Sequence, residues 1–191
     1  MSLKVVLDTI DAVNAKDPNV EVENGKQIPK ELLYSKRMTD MLHEYVDNSS
    51  DELQIAARAQ HIKRWAIPRS DFPMDRKGYL KWRTNLKLMH GKLVAELMEQ
   101  QGYGQPEIEE VVDLITKKKL KTDEQSKTLE DVVCLVFLKY YFKPFAHKYP
   151  KNKLIDIVKK TWVKMTANGH SAALQLPFEE KELALIKEAL S

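Results

Sequence analysis

In the stretch RAQHIKRW, His61 stands three residues after Arg58 and three before Arg64, and Arg69, Arg76 and Arg83 follow closely. Positions three apart on a helix project from adjacent turns toward one side. Arg58, His61 and Arg64 are therefore expected to share a face. An arginine fork grips phosphate or carboxylate through two bonds at once, which a lysine ammonium cannot do. Lysine outnumbers arginine through the rest of the chain, so Arg58, Arg64, Arg69 and Arg83 read as an oxyanion site, with a solvated charged face as the alternative. Trp65, Tyr79 and Trp82 are interleaved with these cations and can stack on a base or a sugar.

His90 follows in NLKLMHGKLVAEL, and Gly91 after it costs a helix about 1 kcal/mol against alanine. Something has to come close there, either another helix or a ligand. Asp131 in LEDVVCLVFL sits beside Glu130 at the start of the most apolar stretch of the chain. A carboxylate at the edge of a core requires a partner, which can be a helix-cap amide, an arginine or a metal. His61, His90 and Asp131 come from three successive helical segments. Imidazole and hard oxygen converging from separate elements are what a divalent metal takes. The run KKKLK reads as a charged helix terminus or, through Lys117, as an anion contact. His43, His147 and His170 lie in less suggestive surroundings.

The elements that position these residues read as helices. With 6 glycines and 8 prolines among 191 residues, breaks are few. Leu3, Val6, Leu7, Ile10 and Val13 form one stripe of an amphipathic helix. KDPNVEVENGKQIP reads as a connecting loop. Helix resumes near Pro29, a favoured first-turn residue. Ser49 or Ser50 then caps a further helix expected to run through His61 as far as Pro68. A long pattern from Arg76 to Gln101 closes at Gly102 and Gly104, and PEIEEVVDLITKKKL carries acids at its start and lysines at its end, as the helix dipole prefers. LEDVVCLVFLKYYF is apolar nearly all round and is expected to be the central buried helix, kinked or ended by Pro144. KLIDIVKKTWVKM and EEKELALIKEAL are the last two helices, separated by TANGHSAALQLPF. The expectation is an all-α, single-domain helical bundle of seven or eight helices spanning 1–191.

Composition bounds the function. The apolar fraction is 43% and the charged fraction 31%, values of a soluble globular protein. Net charge is +3 with a pI near 8.7, too mild to favour nucleic acid as a partner. The single cysteine, Cys134, excludes an internal disulfide and reads as a small buried hydrophobe. The first residues lack a signal-peptide core, and no apolar run approaches the roughly 20 residues that span a bilayer. A cytoplasmic protein without membrane contact is expected.

Two resemblances follow from these segments. The order AQHIKRW, LKLMHGKLV, LEDVVCLVFL resembles the HD superfamily of metal-dependent phosphohydrolases, although Gly91 stands where that family has the aspartate of its His-Asp pair. RAQHIKRWAIPRSDFP, GYLKWR, LEDVVCLVFL and KTWVKM, together covering nearly the whole chain, resemble the family catalogued as domain of unknown function 4202. The first resemblance implies an HD-like core in which His61, His90 and Asp131 hold a divalent metal (Mn, Fe, Mg or Zn). Either Glu96 or Glu110 then replaces the missing carboxylate or the fold has lost its metal, and Lys117 and Glu110 are the catalytic candidates. The function it implies is hydrolysis of a phosphorylated small molecule or nucleotide. The alternative is a non-catalytic helical module that binds a small anionic ligand or nucleotide.

Overall fold

A computed structural model describes residues 2–191. They form ten α-helices and one two-stranded hairpin, gathered into two compact units, residues 1–122 and 123–191. No helix among the described residues is long and apolar enough to cross a membrane.

The first unit begins with α1 (Leu3–Asn14), the hairpin β1 (Val20–Glu23) and β2 (Lys26–Pro29), and α2 (Lys30–Tyr45). The short α3 (Asp51–Arg58) follows, then the long α4 (Arg76–Gln100) and α5 (Gln105–Thr116). Val6 and Ile10 of α1, Met38 and Leu42 of α2, Ile55 of α3, Val94 and Met98 of α4, and Val111 of α5 are fully or almost fully buried. Burial of one stripe per helix is the main force holding these elements together. Gly91 of α4 faces α5. A Cβ there would lie 3.4 Å from both Thr116 Cγ2 and Val112 Cγ1 of α5, so another helix is what comes close to it.

Two expectations for this unit are corrected. The segment read as a connecting loop is the hairpin, with Val20 opposite Pro29 and Glu23 opposite Lys26. Its two-residue turn, Asn24 at φ 51° and Gly25 at φ 76°, has the left-handed pair that a tight hairpin needs. The alternation in VEVE is inverted relative to an ordinary core strand, which hides it. Val20 and Val22 face solvent, while Glu21 and Glu23 hold the buried Arg37 of α2 at 2.6 and 2.9 Å.

The second correction concerns the helix expected to continue to Pro68. Ser50 caps it, accepting from the backbone N–H of Leu53 at 3.1 Å, but it stops at Arg58. Buried side chains from other helices take the backbone groups that further helix would have used. The amide of Asn14 in α1 accepts the Lys63 N–H at 2.9 Å, and His90 in α4 bonds the Ile62 carbonyl at 2.7 Å. Lys63 adopts a left-handed conformation, φ 53°, and two short 3₁₀ turns, Arg64–Ala66 and Arg69–Asp71, lead to α4.

The second unit holds α6 (Glu124–Val136), a π-helical turn over Phe137–Tyr141, α7 (Phe142–Ala146), α8 (Lys151–Trp162), α9 (Ala167–Ala173) and α10 (Glu180–Leu190). The apolar stretch is indeed buried, and Leu129, Val132, Leu135 and Val136 are its core. Helix α6 starts earlier than expected, with Asp123 as its cap. The wide turn intervenes before Pro144, and α9 occupies what was read as a connecting segment. The fold is therefore mostly helical, with more and shorter helices than the seven or eight expected.

Candidate anion-binding site

Glu31 lies in the first turn of α2 and is 5% exposed. Its backbone N–H donates to Asp17 Oδ2 at 3.0 Å, which fixes the start of the helix. Its side chain is directed at the turn that follows α3. Glu31 Oε2 lies 3.1 Å from His61 Nδ1 and Oε1 lies 3.8 Å from Arg64 Nη1. The phenol ring of Tyr34, one helical turn further along α2, stacks on the His61 imidazole with centroids 3.9 Å apart and planes at 11°. The His90 ring lies 6.3 Å from the His61 ring, centroid to centroid. Two side chains of α2, Glu31 and Tyr34, thus hold the His61 imidazole in a fixed orientation.

Burial governs the protonation of this cluster. It raises the Glu31 carboxyl to a pKa of about 7, against the opposing pull of Arg64 and Lys30. His90 is buried and brought down to about 3, with the neighbouring His61 adding to the effect. His61 is held well below the ordinary histidine range by burial and then by the positive charges of Arg64, Arg83, Lys30 and Lys117. Both imidazoles are therefore neutral at pH 7. The Ile62 carbonyl fixes hydrogen on Nδ1 of His90, and Glu31 does the same for His61 once it is ionised, above about pH 7. Nε2 of each ring makes no hydrogen bond to any described residue.

Arg64 has the same character. Its guanidinium lies 5.0 Å from the Trp82 ring and within ion-pair distance of Glu31, yet its N–H groups form no hydrogen bond among the described residues. Trp82 is buried, with its indole N–H donated to the Ile67 carbonyl at 2.8 Å. It therefore serves as a fixed platform under the arginine, not as an open stacking surface. Lys117 ends α5 in a left-handed conformation, φ 60°, among the cations that act on His61.

The other residues singled out from sequence lie elsewhere or serve the fold. Arg58 faces Asp11 of α1, with Nε 3.7 Å from Oδ1, so Arg58, His61 and Arg64 do not form the common face expected of a continuous helix. Arg69 donates to the carbonyls of Phe72 and Asp75 and staples its own loop. Arg83 donates to the Tyr79 hydroxyl at 3.1 Å, and Tyr79 lies on the exposed side of α4. Trp65 is half-buried in the first 3₁₀ turn, and Glu110 and Glu96 are not buried. Glu31 and Tyr34, central to the site, carry no signal in the sequence, because an acid in a first helical turn reads as a dipole partner and a tyrosine in an amphipathic helix as core.

In the second unit Asp131 is buried mid-helix and caps a different helix from its own. Its Oδ1 accepts the Thr166 N–H at 2.8 Å and its Oδ2 the Thr166 hydroxyl at 2.5 Å. Thr166 in turn caps α9 through the Gly169 N–H. No group of three or more His, Cys, Asp or Glu side chains is placed to hold a metal ion among the described residues. With Glu31 and the Ile62 carbonyl on their Nδ1 atoms, the two imidazoles are oriented as metal ligands are, but a third ligand does not gather with them among the described residues.

The family described as a domain of unknown function (DUF4202) matches residues 4–186. The chain belongs to that family. No curated protein and no solved structure matches it.

Proposed function

We propose that this DUF4202 member binds a small phosphorylated molecule or nucleotide through the anionic group of the ligand, at the site formed by His61 and Arg64 in the first unit. One observation carries this reading: the Arg64 guanidinium is fixed over Trp82 beside the neutral His61 ring, with its donors unused. A planar cation held in place with unengaged N–H groups is prepared for a bidentate oxyanion. With Nδ1 of His61 engaged by Glu31, its Nε2 lone pair accepts from a ligand hydroxyl or from a protonated phosphoryl oxygen. Lys30, Arg83 and Lys117 add positive potential around His61, which raises the local concentration of anions. The test is a thermal-shift and titration screen of nucleotides and sugar phosphates against the wild type, Arg64→Ala and, as control, Lys4→Ala on the exposed side of α1. Stabilisation by a phosphorylated ligand that Arg64→Ala abolishes and Lys4→Ala keeps supports the reading. A ligand response that Arg64→Ala leaves intact refutes it.

A second reading, hydrolysis of the bound phosphoester, is favoured by the contact between Glu31 and His61. A carboxylate on Nδ1 orients an imidazole so that Nε2 serves as base or acid. In the metal-dependent form of this reading, His61 and His90 would hold a divalent metal through Nε2, and the metal would supply a hydroxide by lowering the pKa of bound water. Elemental analysis after equilibration with manganese, alongside phosphate release from the ligand found in the screen, tests it. A ligand that is bound and never turned over, with or without metal, leaves the binding module.

A further inference from the structure

The contact between Arg64 and Glu31 is an ion pair without a hydrogen bond, at 3.8 Å, and the same carboxylate engages the His61 ring from α2 at 3.1 Å. Around it stand Lys30 on the same helix, Asp17 from the segment after α1, His61 and Arg64 from the turn after α3, and His90 from α4. Asp17 is already engaged by the Glu31 backbone and by Asn19. The hairpin acids Glu21 and Glu23 are committed to Arg37, and Asp11 of α1 faces Arg58. Glu31 is thus the one carboxylate within ion-pair distance of Arg64 among the described residues.

We infer that the Glu31 carboxylate is a resident counter-anion which an incoming tetrahedral anion displaces from Arg64, so that Glu31 limits and tunes the affinity of the site. The inference rests on the anion-site reading above and deepens it. Two physical consequences set it apart from a purely structural role. First, neutralising Glu31 tightens binding, because the ligand no longer competes for Arg64 and is no longer repelled. Second, the repulsion scales with ligand charge, so a dianion gains more than a monoanion of similar shape. If Glu31 did no more than orient His61, replacing it would leave affinity unchanged or lower it.

Sulfate and methanesulfonate are suitable probes. Both present an SO₃ face, they differ by one charge, and neither titrates near neutrality. Isothermal titration of the full chain at about pH 8 and constant ionic strength compares the wild type with Glu31→Gln. The expected result is an affinity for sulfate about tenfold higher in the variant, with a smaller gain for methanesulfonate. Equal or weaker sulfate binding by Glu31→Gln, with measurable binding by the wild type, overturns this inference and leaves the anion site standing. Failure of both proteins to bind either probe overturns the site itself and the inference with it. Should Glu31→Gln not fold by circular dichroism, Glu31→Met removes the same charge at similar length and is read in the same way.

Discussion

The buried Glu31 carboxyl gives a stability prediction whose sign differs from that of an ordinary ion pair. In the unfolded chain a glutamate ionises near its model value of 4.5, and in the folded protein Glu31 ionises at about 7. Between those values the unfolded chain has already released a proton that the folded one still holds. Stability from this group is therefore fully present below about pH 4.5, falls as pH rises through the window, and is lost above pH 7. At about 1.4 kcal/mol per pH unit the difference amounts to about 3 kcal/mol. Glu31→Gln keeps an oxygen for His61 Nδ1–H and has no charge to bury. It should match the wild type near pH 4.5 and exceed it by up to about 3 kcal/mol at pH 8. Urea unfolding of both proteins at the two pH values, followed by tryptophan fluorescence, measures the difference, and titrating groups that do not face Glu31 cancel in the comparison. A gap between the two proteins that is the same at both pH values refutes the reasoning. A wild type that gains on the variant as pH rises shows instead that attraction to Arg64 outweighs burial.

Three further substitutions probe the scaffold. Gly169→Ala places a Cβ 2.3 Å from Asp131 Oδ1 and 2.6 Å from its Cγ. It should break the cap at Thr166 and lower stability by about 2 kcal/mol or more in urea unfolding, and an unchanged midpoint contradicts that cap. Gly91→Ala meets its neighbours at 3.4 Å, an ordinary contact, and gains helix propensity, so stability should rise by about 0.5–1 kcal/mol. A loss of more than about 1 kcal/mol means that α4 and α5 have no such slack. Lys63→Gly relieves a left-handed residue, φ 53°, and keeps the N–H that Asn14 accepts. The thermal midpoint should rise with a stability gain of about 0.5–1 kcal/mol, and a fall places the strain elsewhere.

The helical class was legible because it rests on spacing within single segments. Val6 and Ile10 in α1 and Leu129, Val132 and Val136 in α6 repeat at the helical period and are buried where that period puts them. The hairpin was not legible as strand, because its inward residues are glutamates whose partner, Arg37, lies in another element. The end of α3 was hidden for a related reason. Local propensity favours continuing the helix past Arg58, and what stops it are Asn14 and His90, which bond Lys63 and Ile62 from distant parts of the chain. Sequence spacing carries no record of such contacts.

That premature stop is also what assembles the site. Had α3 continued, Arg58, His61 and Arg64 would have lined one side of a rod at fixed intervals. Instead, with the helix ended, Arg58 stays with Asp11, while His61 and Arg64 turn toward Glu31. Asn14 is fully buried and donates to Ser35 Oγ at 2.6 Å while accepting from Lys63. Such a group is stabilising only if both bonds are kept, since a buried amide left unpaired costs about 1–3 kcal/mol. The strained conformation at Lys63 is thereby fixed by an interaction that cannot be given up cheaply. His90 does the same from α4 through Ile62 and contributes a neutral imidazole beside His61. The polar residues of this core therefore hold an irregular turn in one shape, and that shape, more than the count of arginines in the sequence, decides which cation and which imidazole face a ligand.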